Sequence, residues 1–407
     1  MEGNSSQDSK PLSRRDLIKR AGVAAGVAAG SLGIGLGIRT GYDYLNRYYS
    51  QSPEARYNGP PQFPEPSSHA PEAAVSKEPL IALPTEFGWN THLNVDGNPR
   101  ENHTLEALKR CVDDISSNGS RRLRMDFRHW QMVESGDTDR VVWRDEGIGQ
   151  FDDAISYINE SGLKLALVVT APEYAAEYDR EDYIKATRIF FGTIANRYQG
   201  MIDTLQLYNE PDIHRFKTYR FDNHALLKGR YFQELEEAME AAYEAVKQAD
   251  PNIRTIANIS HWVGHHTDMT RKGVYFFDRI GHLVDVLGLG PYLEDNQRAI
   301  DSMPIAIEDL QTRYNKPVEI VELGQPTIGR FTEIDQARNV SNAMGAMMGG
   351  EVQPAAIMLY EYRDETIVSD GVEKTFGFRN ADDSPKISYN VLVGKMQQES
   401  ENEFMQK

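Results

Sequence analysis

Leu163-Lys-Leu-Ala-Leu-Val-Val-Thr170, then Tyr183–Tyr198, then Thr204-Leu-Gln-Leu-Tyr208 is the stretch on which the fold turns. The first run is apolar almost throughout and does not alternate, as a strand buried on both faces requires. The second is long and carries apolar residues three and four apart, the spacing of a helix with one buried face. The third is another short apolar run. Strand, helix, strand in this order is one repeat of an α/β architecture.

The same alternation continues in both directions. Upstream, Phe87–Leu93 and Leu123–Phe127 read as the first and second strands, before the third at Leu163–Thr170 and the fourth at Thr204–Tyr208. Downstream come Thr255–Ile259, Val284–Leu289, Val318–Val321 and Ala356–Tyr360 as the fifth to eighth. Helices are expected at Thr104–Ser117, Gly149–Asn159, Tyr183–Tyr198 and Ala225–Ala249, and near 273–282, 300–314, 333–349 and 387–397. Gly119, Gly162 and Pro251 stand where helices should stop. Eight such repeats predict a parallel sheet closed into a (β/α)8 TIM barrel over residues 80–400. An open doubly wound sheet would use fewer strands, and no Gly-x-Gly-x-x-Gly follows the first strand.

The segments before the barrel read differently. Ser13-Arg-Arg-Asp-Leu-Ile-Lys19 resembles a twin-arginine export motif and precedes an apolar, Gly/Ala-rich stretch from Ala21 to Ile38. Residues 1–40 are therefore expected to be a signal peptide handled by the Tat translocase. No Ala-x-Ala follows Ile38, and the apolar stretch could just span a bilayer, so an uncleaved membrane anchor stands as the alternative. Either way the folded part is expected outside the cytoplasm: periplasmic, extracellular or anchored facing outward. Residues 41–79 include Pro53, Pro60, Pro61, Pro64, Pro66, Pro71 and Pro79 and few large apolar side chains, as a semi-rigid linker would.

A net charge of −17 argues against a nucleic-acid partner, which needs a basic footprint. It also argues, more weakly, against an anionic polysaccharide. The single cysteine, Cys111, excludes an internal disulfide, and its amphipathic setting reads as a buried thiol.

Active sites of such barrels lie at the C-terminal ends of the strands. Asn209 and Glu210 end the fourth strand and Glu322 ends the seventh. These strands lie on opposite sides of an eight-membered ring, so the two carboxyl groups can converge across its mouth. Paired carboxyl groups suit glycoside cleavage: one donates a proton to the leaving oxygen, and the other, ionised, attacks the anomeric carbon. Retaining enzymes hold them about 5–5.5 Å apart. Burial and a neighbouring negative charge favour the protonated form of the acid in such a pair.

Leu205-Gln-Leu-Tyr-Asn-Glu-Pro-Asp212 resembles the Asn-Glu-Pro signature of clan A glycoside hydrolases, and Val318-Glu-Ile-Val-Glu-Leu-Gly324 resembles their strand-seven segment. Arg124-Met-Asp-Phe127 with Trp130, Pro291-Tyr292, and Phe376-Gly-Phe378 before Asp383-Ser-Pro-Lys386 are similar to further elements of that clan, in order. The resemblance covers roughly residues 80–398. It implies a retaining hydrolase of β-linked neutral glycans, with Glu210 as acid/base and Glu322 as nucleophile. It also implies that Arg124 and Tyr292 hold Glu322 ionised and that Asn209 bonds the sugar 2-hydroxyl. Neither a cofactor nor a metal is implied. His92, Trp130, His261, Trp262, Tyr360 and Tyr362 are candidate sugar contacts.

Other readings stay open. A noncatalytic sugar-binding barrel and a transglycosidase would carry the same fold. Arg124 and Asp126 share a strand face and could pair with each other. Glu319 is out of phase with Glu322 and is expected at the surface. Trp89 and Tyr174 join Trp130 and Trp262 as aromatics near strand ends, each equally suited to core packing. His261, His265 and His266 lack the spacing of a zinc motif. Many clan members end the eighth strand on tryptophan, where this chain has Met358-Leu-Tyr-Glu-Tyr362.

Overall fold

The computed structural model describes residues 85–95, 103–176, 178–211, 229–263, 269–293, 297–329, 331–365 and 375–406. Segments 1–40 and 41–79 lie outside them. No helix among the described residues is long and apolar enough to cross a membrane.

Among the described residues ten strands are formed: β1 Glu86–Thr91, β2 Arg122–Phe127, β3 Val133–Gly136, β4 Val141–Trp143, β5 Lys164–Val169, β6 Thr204–Leu207, β7 Arg254–Val263, β8 Val286–Leu293, β9 Val318–Leu323 and β10 Ala356–Leu359. Eight of them close a barrel in the order β1-β2-β5-β6-β7-β8-β9-β10, with β10 paired back to β1. Every neighbouring pair is parallel. This is the expected (β/α)8 barrel, and all eight strands fall on their expected runs.

The helices are α1 Leu105–Ser117, α2 His129–Met132, α3 Asp145–Glu160, α4 Arg180–Arg197, α5 Gly229–Ala249, α6 Met269–Ile280, α7 Gln297–Tyr314, α8 Glu333–Met348 and α9 Ile387–Gln406. Their starts are chemically marked. Thr104 accepts from the Ala107 amide at the head of α1, and Thr332 with Asp335 forms a reciprocal cap on α8. Two elements were not expected: the one-turn α2 and the antiparallel β3–β4 hairpin inserted between barrel strands β2 and β5.

The barrel interior is layered, as its geometry demands. At the floor, Arg122, Thr204, Arg254 and Glu319 meet from β2, β6, β7 and β9. Above them Ala166, Ile256, Val286, Val321 and Met358 form an apolar plug. Above the plug lies a polar layer, and then the mouth. Glu319 is thus fully buried rather than at the surface, bonded to Arg122 Nη1 at 2.6 Å. The reason is a register shift between β10 and β9: Ile357 faces Ile320, yet Leu359 faces Leu323. The extra β9 residue breaks the two-residue period, so Glu319, Val321 and Glu322 all reach the interior.

Candidate active site

The β6 segment is built to present Glu210. Tyr208 and Glu210 both adopt left-handed φ, 62° and 45°, a conformation costing about 1–3 kcal/mol each for residues with a side chain. Three contacts hold this turn. The Glu210 amide donates to Asn258 Oδ1 at 2.9 Å, and Gln206 Nε2 donates to the Tyr208 carbonyl at 3.2 Å. The Tyr208 ring is anchored outside the barrel, its hydroxyl 3.1 Å from that of Tyr183.

Across the mouth Glu322 is gripped from two sides. Arg124 Nη1 lies 2.7 Å from Glu322 Oε1, and the Tyr292 hydroxyl donates to Oε2. Gly290 of β8 shows how near the two glutamates come. A Cβ placed on it would stand 3.2 Å from Glu210 Oε1 and 3.7 Å from Glu322 Cβ. A side chain here would crowd the Glu210 carboxyl and lie against the stem of Glu322.

Beneath the pair runs a buried hydrogen-bonded platform. Arg124 donates to Gln206 Oε1 at 3.0 and 2.9 Å, to Asn90 Oδ1 at 2.6 Å and to Asn209 Oδ1 at 3.1 Å. Gln206 Nε2 donates to Asn258 Oδ1 at 2.8 Å, and Asn90 Nδ2 to the carbonyls of Val321 and Leu359. Such a network fixes side-chain positions to within a few tenths of an ångström without substrate present.

Burial pushes the Glu322 carboxyl up to about 7, and the charge of Glu210 adds to this, while Arg124 and the Tyr292 hydroxyl pull it down. The sequence reading placed the retained proton on the acid and relied on Arg124 and Tyr292 to keep Glu322 ionised. They act in that direction, but desolvation outweighs them.

A second charged group borders the first. His92 Nδ1 lies 2.8 Å from Asp126 Oδ2, and its Nε2 lies 3.0 Å from Glu361 Oε2. Asp126 therefore pairs with His92, while Arg124 pairs with Glu322, so the two β2 residues do not pair with each other. Burial works against the His92 charge, but Asp126, then Glu361, raise it well above the ordinary histidine range. The Asp126 carboxyl is held at about 2, where His92 outweighs burial, and burial pushes Glu361 up to about 8.

The other candidates divide. Tyr292, Tyr360 and Phe376 stack edge to face as one aromatic cluster, and Tyr360 also meets His92. Trp130 is 45% exposed on α2, beyond the end of β2. Tyr362 is a correction. It is buried, donates to Asp114 of α1 at 2.7 Å, and packs edge-on against Trp89. Tyr360 and Glu361 both face the mouth, where Glu361 reaches His92, whereas Tyr362 points outward under α1. Trp89 is likewise core, its indole donating to Ser120. His261 and Trp262 lie on β7 opposite Pro291 and Tyr292 in register. Their side chains, and His265 and His266 altogether, fall outside the described residues.

Sequence reasoning missed Glu361, Gln206, Asn258 and Asn90. The available signal was a polar residue within an apolar run, such as Gln206 between Leu205 and Leu207.

No protein-family model matches the chain, and no curated relative matches it. Solved structures do match. A family 1 β-glucosidase from Thermotoga maritima superposes with a TM-score of 0.59 at 12% identity, over 78% of this chain and 98% of that one. A hyperthermophilic β-glucosidase from Pyrococcus furiosus gives 0.59 at 11% identity, over 78% and 96%. The AHE enzyme from Alicyclobacillus herbarius gives 0.59 at 12%, over 80% and 99%. The likeness is one of fold. The chain shares the barrel on which those β-glucosidases are built, and chemistry must be argued from its own side chains.

Proposed function

We propose that this protein is a retaining glycoside hydrolase acting on β-linked neutral glycans or glycosides. One observation carries the reading: Glu210 and Glu322 enter the same small space above Gly290, from β6 and β9, with Arg124 and Tyr292 both on Glu322. Two carboxyl groups so placed can divide the work of double displacement. Glu322 attacks the anomeric carbon as Glu210 gives its proton to the leaving oxygen. The ionised Glu210 then takes a proton from water, whose oxygen displaces Glu322 and regenerates both groups. Asn209, fixed by Arg124, Gln206 and Asn258, is placed to bond a sugar hydroxyl beside the reacting carbon. A bond that tightens as the ring flattens accelerates the step.

The net charge of −17 supports a neutral glycan over an anionic one. The Ser13–Lys19 segment supports export through the twin-arginine route, with the barrel following a proline-rich linker. Replacing Arg14 and Arg15 together by lysine should leave the protein in the cytoplasmic fraction.

A panel of aryl β-glycosides and β-glucans, with the anomer of the product followed by NMR, tests the activity. Net retention and loss of turnover in Glu322→Gln are expected. Inversion, or full turnover in that variant, would overturn the assignment. Sugar binding without turnover would leave the noncatalytic barrel in its place. Transfer to an added acceptor in preference to water would make it a transglycosidase.

A further inference from the structure

The His92 cluster contains more unmet bonding capacity than any other buried region described. His92 is 4% exposed, Glu361 1% and His103 6%. The contacts of His92 with Asp126 and Glu361 are short but poorly aligned. Both His92 ring nitrogens, both Glu361 oxygens and, separately, His103 Nε2 make no hydrogen bond of good geometry, the close approaches to Asp126 and Glu361 notwithstanding. Buried polar atoms left in this state are costly, and an unseen ion is one of the few causes that removes the cost.

The donors are arranged as a cation would arrange them. His92 Nε2, Glu361 and Glu365 each bring one ligand atom, all within 4.8 Å of one another. His92 Nε2 lies 3.0 Å from Glu361 Oε2 and 3.9 Å from Glu365 Oε1, and His103 Nε2 lies 3.9 Å from that same Glu365 oxygen. Ligands at about 2.0–2.2 Å around a tetrahedral ion stand about 3.4 Å apart, within this spread. Asp126 on the far ring nitrogen of His92 occupies the place of the carboxylate that orients a ligating histidine. Arg128 lies 3.9 Å from Glu365 Oε1, at the edge of the set.

We propose that His92, Glu361 and Glu365 form a site for one divalent transition-metal ion of the zinc type. The imidazole nitrogen among the donors favours such an ion over calcium or magnesium, which take oxygen ligands. The ion ties the end of β1 to the segment after β10, next to Tyr360 and so one ring away from Tyr292 and Glu322. The spacing rules that set aside a zinc motif at His261–His266 could not find it. Its ligands come from residues 92, 361 and 365, brought together by barrel closure.

The test needs no glycoside. Full-length protein is stripped with a chelator, then titrated calorimetrically with ZnCl2, and its CoCl2-loaded form is scanned for visible d–d absorption. One ion per chain is expected, with a rise in melting temperature. Glu365→Gln should weaken binding about 10-fold, and His92→Gln or Asp126→Asn by about 10–100-fold or more. Glu322→Gln should bind as wild type. Glu365 is the least buried of the three ligands, so its variant decides the matter if His92→Gln does not fold. Absence of a stoichiometric ion, binding of Ca2+ alone, or unchanged affinity in Glu365→Gln would overturn the site.

Discussion

Two groups of charge occupy opposite ends of one barrel, and they differ in whether burial is overcome at every acid: at the mouth it is at Asp126 but not at Glu322 or Glu361. At the floor Arg122, Arg254 and Lys164 interleave with Asp203, Glu319 and Glu86, three cations against three carboxylates. There the Asp203 carboxyl is held at about 2, because Arg122 and Arg254 outweigh its burial. At the mouth Glu210, Glu322, Asp126, Glu361 and Glu365 outnumber Arg124, Arg128 and His92. Burial there lifts Glu322 to about 7 and Glu361 to about 8. A balanced network only holds the strands in place. An unbalanced one keeps protons within reach of neutral pH, at a cost in stability that the proposed proton transfer would use.

Exchanging one residue at each end should separate these roles. Glu322→Gln is expected to lower kcat/KM for an aryl glycoside by about 10³-fold or more, the scale on which nucleophiles are lost, with the fold intact by circular dichroism. Arg122→Met at the floor should do the reverse. It leaves Glu319 buried with Arg254 alone, and should cost about 3–5 kcal/mol in urea unfolding while each folded molecule keeps near-normal turnover. If both variants lost activity and stability together, the two ends would not be separable.

The pH dependence sharpens the contrast. A carboxyl raised from 4.5 to about 7 binds a proton in the folded chain that the unfolded chain has already released. Its stabilising contribution is therefore present below the ordinary value and lost as pH rises through about 7. Between about pH 5 and pH 8, wild type should lose about 1–3 kcal/mol relative to Glu322→Gln in parallel denaturant titrations. Asp203 carries the opposite sign: its contribution is present above its ordinary 3.8 and lost as pH falls through about 2. Smaller again is the effect of Arg124→Gln on the acid limb of kcat/KM. Removing a cation that lowers Glu322 should move that limb to higher pH by about one unit, read from a rate profile. Smallest of all should be Arg188→Ala, which breaks an exposed pair with Glu244 far from either end and should stay within about 1 kcal/mol in thermal unfolding.

Glu319 and Tyr362 show where sequence reading reached its limit. A strict two-residue period sends Glu319 outward, and only the slip of β9 against β10 turns it into the floor. Tyr362 sits beside mouth residues in sequence, yet its ring belongs to the core under α1. The β3–β4 hairpin was illegible for another reason. Its strands are three or four residues long, with Glu134 and Ser135 inside one of them, too short to show any period.

The sequence by itself determined the eight strands, their order and the positions of Glu210 and Glu322 at strand ends. Those features follow from runs of neighbouring residues, and burial acts on each run locally. Tertiary structure alone decided which side chains meet. His92 and Glu361 come together because β1 and β10 close the ring, 269 residues apart in the chain. Pairing across that closure depends on register and on the slip at β9, and neither leaves a trace in local hydrophobicity.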